Sequence, residues 1–213
     1  MLELKGLRRL HIGPIGLTVE AGECVSLSGR SGSGKSIILR AVADLDPHDG
    51  EVYLDGQTCS SMPAPQWRRM VTYVAAESGW WEQTVRQHFP VDTDFQLLLP
   101  QLGLEPSIAD MDVQRLSTGE RQRLALLRAL GLNSKVLLLD EPTSALDHHS
   151  VLLVEALLRQ RMDQGVAILL VTHDSEQALR LATRHMRLHQ GMLEPIDAEA
   201  LAGPEAGMEE EGQ

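Results

Sequence analysis

The chain has 213 residues, of which 43% are hydrophobic and 23% are charged, a composition typical of one globular domain with a sizeable core. Thirty acidic and nineteen basic residues give a formal net charge of -11, which argues against a general nucleic-acid-binding protein. No run approaches the roughly 18 apolar residues of a membrane helix, so we expect any membrane association to depend on another protein.

The N-terminal third of the chain predicts mainly β-strands. Apolar and polar residues alternate over 2–5 and 16–20, and a further strand is predicted over 24–28. A glycine-rich loop and a helix over 35–43 follow this third strand. A hairpin is then expected around the turn Asp55-Gly56.

Strand patterns disappear in the middle of the chain, where apolar groups compatible with helices lie around Phe89, 95–99 and Leu102. We therefore predict a small helical subdomain over about 84–131. Beyond it, strands alternate regularly with helices, the pattern of βαβ units in a parallel sheet covered on both faces. The predicted strands are 135–140 and 166–172, and the predicted helices are 119–131, 148–163 and 175–182. We expect one domain over 1–204 and a disordered acidic tail over 205–213.

A phosphate-binding loop is predicted directly after the third strand. Residues 29–36 match G-x-x-x-x-G-K-[ST] without a mismatch and open a helix, which is the context that this motif requires. Backbone N–H groups of such a loop converge on phosphate oxygens. Lys35 is expected to reach the β- and γ-phosphates, and the Ser36 hydroxyl is expected to bind Mg²⁺. The predicted nucleotide-binding residues are Gly29, Arg30, Ser31, Gly32, Ser33, Gly34, Lys35 and Ser36.

Two carboxylates close an apolar strand farther along the chain. Asp140 ends the strand predicted over 135–140 and Glu141 follows it, and buried strands deliver such side chains to the carboxyl edge of a sheet, where ligands of α/β folds bind. Asp140 is expected to hold Mg²⁺ through its water shell. Glu141 is placed to act as the general base that polarises the attacking water.

A third motif spans Leu116 to Gln122. Ser117 is a good N-cap and Gly119 permits close backbone approach before a strong helix-forming run, so the pattern predicts an exposed helix N-terminus ready for an anion. With the two motifs above, the chain resembles the ATP-binding subunits of ABC transporters, whose L-S-G-G-Q signature this is, with Thr118 in place of a glycine. The resemblance covers about residues 2–195.

The resemblance implies an α/β fold with a phosphate-loop NTPase core, a mostly parallel sheet, an N-terminal antiparallel β subdomain and a small helical subdomain. It also implies that Ser117 and Gly119 contact the γ-phosphate of ATP held by a second subunit. Asp147 matches the loop that crosses the dimer interface. His173 matches the switch histidine, which contacts the γ-phosphate and holds Glu141 and its water in line. The catalytic residues implied are Lys35, Glu141 and His173.

Two departures from the family pattern leave questions open. Ala76 occupies the position of a glutamine that senses Mg²⁺; either Glu77 or a water substitutes for it, or coupling is altered. No Phe, Tyr or Trp lies near residues 7–11 to stack on adenine. Arg9 could place its guanidinium plane on the base, and His11 is a weaker candidate.

The pair Trp80-Trp81 is conspicuous among only seven Phe, Tyr and Trp residues. One interpretation is that both rings pack the helical subdomain onto the core. The other is a hydrophobic surface for a membrane permease subunit, with Phe89 and Phe95 lining the same groove.

The predicted assembly is a head-to-tail homodimer with ATP and Mg²⁺ between opposite motifs, docked on an integral-membrane permease at the cytoplasmic face of the inner membrane. DNA-repair ATPases of similar motifs insert a long coiled coil between these two motifs, whereas Ser117 lies only 81 positions after Ser36 here, and translation factors carry two such domains. A non-enzymatic nucleotide-binding regulator is a third alternative. The transported substrate and its direction are open, although small subunits of the metal- or iron-export type are similar in size.

Overall fold

The computed structural model describes residues 1–202, and the predicted tail over 205–213 lies outside this range. The strands are β1 (Leu2–Arg9), β2 (Ile12–Val19), β3 (Cys24–Ser28), β4 (Asp49–Leu54), β5 (Gln57–Thr58), β6 (Val71–Val74), β7 (Val136–Asp140), β8 (Ala167–Val171), β9 (Arg184–His189) and β10 (Met192–Ile196). The helices are α1 (Lys35–Val42), α2 (Ala64–Met70), α3 (Phe95–Leu98), α4 (Thr118–Leu130), α5 (His148–Asp163), α6 (Ser175–Leu181) and α7 (Ala198–Ala202).

The N-terminal strands form an antiparallel sheet with the order β2-β1-β4-β5. β1 and β2 are longer than the alternation over 2–5 and 16–20 predicts, because each continues past a register shift to the tight turn at Leu10 and His11. One face of this sheet is buried, and its side chains share a core with α1 and with the second sheet.

The second sheet has the order β10-β9-β3-β8-β7-β6 and is parallel except for its edge strand β10. Every residue of β7 and β8 is buried, which explains why both sequences are almost continuously apolar. The predicted α/β architecture with a mostly parallel sheet is therefore confirmed.

The register of the parallel strands determines where the site lies. Leu27 of β3 and Asp140 of β7 both pair with Val171 of β8, which runs between them. The three strands therefore end at the same level. The residues that follow, Gly29, Glu141 and His173, emerge side by side at the carboxyl edge of the sheet.

The segment between β6 and α4, which begins the predicted helical subdomain, is built from short elements. It contains one four-residue helix, α3, and single 3₁₀ turns. Phe89 and Phe95 are buried against each other with ring centroids 5.3 Å apart, so the prediction that they line an open groove is wrong. Their apolar surface packs this segment onto α4 and the sheet. Within residues 1–202, no helix is long and apolar enough to cross a membrane.

Candidate functional site

The loop between β3 and α1 has the backbone that its glycines allow. Gly29, Gly32 and Gly34 have φ values of 142°, 74° and 107°, a region that other residues rarely adopt. A Cβ at Gly34 would lie 2.2 Å from Ile12 Cδ1, and one at Gly29 would lie 2.7 Å from the Leu188 carbonyl oxygen. The loop is therefore pressed between β2 and β9, with Arg30, Ser31 and Gly32 exposed at its tip.

Lys35 is buried at the base of this loop. Its Nζ donates to the carbonyl oxygens of Gly29 at 2.7 Å and Arg30 at 3.2 Å, so the loop curls around the ammonium group. The Ser33 hydroxyl is also buried and has no hydrogen-bond partner within residues 1–202. The loop thus brings together a buried cation, an unpaired hydroxyl and the N-terminus of a helix. These groups are suited to bind the phosphates of a nucleotide.

Asp140, Glu141 and His173 lie at the neighbouring strand ends. Glu141 adopts φ +50°, which is uncommon outside glycine, and its N–H donates to the Val171 carbonyl at 2.8 Å. This turn directs the Glu141 carboxylate to His173, whose Nε2 lies 3.1 Å from Oε1. The structure thus brings the predicted general base and the predicted switch histidine into contact beside the loop. Unusual backbone conformations of this kind occur often at functional sites.

Asp140 is only 4% exposed, and its Oδ2 accepts a hydrogen bond of 2.9 Å from the hydroxyl of Tyr73 on β6. Burial, together with the Asp140 carboxylate, raises the pKa of Tyr73, so this hydroxyl stays protonated and can only donate to the carboxylate. Sequence analysis did not identify this contact, because β6 and β7 are 61 residues apart and only their parallel pairing makes them neighbours.

The donor groups at this edge fit Mg²⁺. In residues 1–202, no cluster of three or more His, Cys, Asp or Glu side chains is placed to hold a metal. Mg²⁺ commonly takes one or two protein oxygens and completes its shell with phosphates and water, which suits the Ser36 hydroxyl and the Asp140 carboxylate. Glu77 is exposed in the segment that follows β6, and its part in metal binding stays a prediction.

The signature residues form a capping box at the start of α4. The Ser117 hydroxyl and N–H both donate to Glu120 Oε2, at 2.7 and 2.8 Å, and the Glu120 N–H donates to the Ser117 hydroxyl at 3.3 Å. The predicted N-cap at Ser117 is therefore present, and the approach of a phosphate to this helix end stays a prediction. The Glu120 carboxylate accepts the Ser117 N–H at this helix end, and hydrogen bonds from Ser117 lower the pKa of Glu120.

Gln122 is a functional candidate that sequence analysis missed. It is buried, its Nε2 donates to the Glu141 carbonyl at 2.7 Å, and its Oε1 accepts the Ala145 N–H at 3.1 Å. Gly119 reinforces this link, because a Cβ there would lie 3.0 Å from the Ala145 carbonyl oxygen. α4, the turn after β7 and the following loop therefore form one connected unit. A polar residue on the buried face of a predicted helix was the available signal.

Asp147 and Arg9 both make local contacts. Asp147 caps α5 by accepting from the N–H and hydroxyl of Ser150, at 2.9 and 3.0 Å, and these bonds lower the pKa of its carboxyl group. Arg9 donates to the Pro47 carbonyl at 2.7 Å. The neighbouring Leu10, at the tip of the β1–β2 turn, is 76% exposed. The roles of Asp147 at the dimer interface and of Arg9 at adenine stay predictions.

Both rings of the pair Trp80-Trp81 contact the guanidinium group of Arg128. The Arg128 guanidinium lies 4.7 Å from the ring centroid of Trp80 and 4.8 Å from that of Trp81. His88 contacts both rings edge to face at 4.8 Å, and its Nε2 accepts the N–H groups of Trp81 and Glu82. Trp80 packs against the core, as the first interpretation expects, whereas Trp81 is 67% exposed and its role as a permease-docking surface stays a prediction.

Comparison with known proteins agrees with this geometry. Residues 12–144 match the family model described as "ABC transporter". An aliphatic sulfonates import ATP-binding protein, SsuB 2 of Agrobacterium fabrum, is 38% identical over 185 residues, which cover 83% of this chain and 70% of the relative. A spermidine/putrescine import ATP-binding protein, PotA of Spiroplasma citri, is 31% identical over 220 residues, which cover 94% of this chain and 62% of the relative.

Solved structures give the same result. The fold superposes with a TM-score of 0.75 and 26% identity on a dimeric ATP-binding cassette, MJ0796, in a post-hydrolysis state with ADP and Pi, covering 91% of this chain and 97% of that one. An ATP-binding subunit of an ABC transporter superposes with a TM-score of 0.81 at 23% identity, which supports the fold alone. The family match covers more than half of the chain and includes the phosphate loop, Asp140 and the signature helix. This chain therefore belongs to the ABC transporter family, as an ATP-binding subunit.

Proposed function

We propose that this chain is the Mg²⁺-dependent ATPase subunit of an ABC importer, and that two copies close around ATP to drive a separate permease. The observation that carries this proposal is the 3.1 Å contact between Glu141 and His173 at the edge from which the phosphate loop also emerges. A chain that only bound nucleotide would not need a carboxylate in an uncommon backbone conformation held beside a histidine.

The nucleotide is held by the loop over residues 29–36. Lys35 moves its donors from the Gly29 and Arg30 carbonyls to the β- and γ-phosphates, and loop N–H groups and the Ser33 hydroxyl contact the remaining oxygens. Ser36 and Asp140 hold Mg²⁺, which neutralises charge on the phosphates when it is bound.

Glu141 acts as general base. Its carboxylate orients a water molecule for in-line attack and accepts a proton from it, a role worth about 10²–10⁴-fold in rate. His173 fixes the carboxylate through the Nε2 contact, and the family resemblance places the same ring next to the γ-phosphate. Gln122 holds the Glu141 backbone and the adjoining loop in a fixed relation to α4.

The dimer is head to tail. Ser117, Gly119 and Asp147 of one copy face the nucleotide on the phosphate loop of the other, so two ATP molecules lie in the seam. The solved relative MJ0796 is dimeric with ADP and Pi, which supports this arrangement. Closure requires the Ser117 hydroxyl to exchange its Glu120 contact for a phosphate oxygen, and the closed state is favoured by its tighter hold on ATP.

The permease docks at Trp81. This exposed ring is held in place by Arg128 and His88, which lowers the ordering cost of binding. Arg128 Nη1 and Trp80 Nε1 are buried and therefore not accessible to the permease, so the docking contact is expected to use the exposed Trp81 ring. Docking places the chain at the cytoplasmic face of the inner membrane.

Import is the direction that the relatives favour. Those described above are named for the import of aliphatic sulfonates and of spermidine and putrescine. None of these names supports the expected similarity to the metal- or iron-export type, so we propose import of a small organic solute.

Phosphate release tests the proposal. Wild-type protein with Mg²⁺ and ATP is expected to turn over steadily, and Glu141→Gln is expected to bind ATP with similar affinity but to lose at least 10²-fold in rate. Glu194→Gln, a change of an exposed carboxylate on the edge strand β10, is the matched control. Wild-type protein that binds ATP without hydrolysing it would instead support the regulator alternative.

A further inference from the structure

Tyr73 is the residue of β6 that reaches the nucleotide site. It pairs in register with Leu138, two residues before Asp140, and its side chain extends along β7 to the end of that strand. There its hydroxyl donates to Asp140 Oδ2 at 2.9 Å. The tyrosine is only partly buried, whereas the carboxylate is nearly fully buried. The carboxylate is therefore the partner that depends more on this hydrogen bond.

A carboxylate at a strand end can rotate about its terminal torsion, which is broad and roughly two-fold. A hydrogen-bond donor on one carboxylate oxygen restricts this rotation and fixes the direction in which the other oxygen points. Asp140 is the only carboxylate that the proposed function assigns with Ser36 to the metal, and a Mg²⁺ shell demands near-ideal octahedral geometry. The orientation of this one group therefore affects how well the metal is held.

Tyr73 also lies three residues before Ala76, in the strand that leads into the docking segment at Trp80 and Trp81. The alanine methyl group cannot bind a metal or its water. β6 thus joins the permease-facing surface to the metal-holding carboxylate through the Tyr73 hydroxyl.

We infer that Tyr73 is a positioning residue for Mg²⁺ that acts through Asp140. In this chain the Tyr73 hydroxyl provides the link between β6 and the metal that the alanine at position 76 cannot provide. This inference rests on the proposed function. It concerns a hydroxyl that the family motifs do not include, and it needs no contact between Tyr73 and nucleotide.

Tyr73→Phe removes the hydroxyl alone and is tested by nucleotide binding. In a Glu141→Gln background, binding of a fluorescent ATP analogue is titrated with Mg²⁺. The half-saturating Mg²⁺ concentration is expected to rise on the order of tenfold, equivalent to about 1.4 kcal/mol. Affinity for the analogue in EDTA should not change, because the phosphate loop is untouched. Tyr53→Phe, which changes the chain's other tyrosine on β4, is the matched control.

A double-mutant cycle separates positioning from a structural role. In an Asp140→Asn background, Tyr73→Phe should have no further effect on the Mg²⁺ requirement, since its action passes through the carboxylate. An unchanged or lower Mg²⁺ requirement in Tyr73→Phe, or an equal weakening in EDTA, overturns the inference while the proposed function stands. Failure of the wild-type protein to bind the analogue more tightly with Mg²⁺ would instead reject the proposed function.

Discussion

Replacing Glu120 with glutamine changes one charge at the surface where two copies are proposed to meet. Glu120 Oε2 accepts from both the hydroxyl and the N–H of Ser117, and these bonds lower the pKa of Glu120, so the carboxylate is ionised at neutral pH. In the proposed dimer this negative charge lies at the helix end that approaches the γ-phosphate of the other copy. Glutamine also completes a capping box, so Glu120→Gln removes the charge while keeping the cap.

The substitution is expected to have opposite effects on two quantities. The monomer loses charge-assisted bonds and a favourable interaction with the α4 N-terminus, so its free energy of unfolding should fall by about 1 kcal/mol. The closed dimer loses a like-charge repulsion of about 1 kcal/mol at each of its two sites. A total of about 2 kcal/mol corresponds to a dimer dissociation constant about 30-fold lower.

Sedimentation equilibrium in the Glu141→Gln background, with Mg²⁺ and ATP, measures the dimer constant, and urea unfolding measures monomer stability. Glu194→Gln is the control for a lost surface charge. The pH dependence has a definite sign: because the folded-state pKa is depressed, the Glu120 contribution to stability is present above its ordinary value of 4.5 and is lost as pH falls through the folded value. A weaker or unchanged dimer in Glu120→Gln would refute the reasoning.

Three further substitutions test other contacts. Gln122→Ala removes the bond to the Glu141 carbonyl and should lower kcat by about 10- to 100-fold with little change in ATP affinity; unchanged turnover in a phosphate-release assay would contradict this role. Arg180→Met removes the closest partner of the fully buried Glu155, at 2.7 Å, and leaves only Arg159, at 3.3 Å, so the free energy of unfolding should fall by about 3 kcal/mol in urea titrations, the low end for a broken buried ion pair; a loss below about 1 kcal/mol would be inconsistent with this ion pair. Trp81→Ala should weaken binding to the permease in detergent by about 30-fold while ATP hydrolysis by the isolated subunit is unchanged; equal binding would exclude docking at this ring.

The features that could be predicted from the sequence are those determined by short stretches of chain. The phosphate loop needs its glycines, lysine and serine in one order, and β7 and β8 are buried on both faces and therefore read as continuous apolar runs. α5 begins and ends at the predicted residues, because Asp147 caps it and an apolar face continues to its end. Such signals are local, so one chain suffices to find them.

The remaining features depend on contacts between distant residues. The bond from Tyr73 to Asp140 follows from the pairing of β6 with β7, and the burial of Phe89 and Phe95 depends on a core that they share with residues of α4 and the parallel sheet. Glu120 lies next to Ser117, yet its occupation of the helix end was overlooked because the sequence pattern suits both a self-capped helix and an anion site.

The central claim is that each ATP lies between the phosphate loop of one copy and the signature helix of the other. Lys35→Ala and Ser117→Arg each leave a homodimer without an intact site. In a mixed dimer, however, the wild-type loop of the Ser117→Arg copy faces the wild-type signature of the Lys35→Ala copy. An equimolar mixture of the two inactive proteins should therefore recover about a quarter of wild-type phosphate release, since half of the dimers are mixed and each has one of two sites intact. A mixture that is no more active than its components would contradict the account.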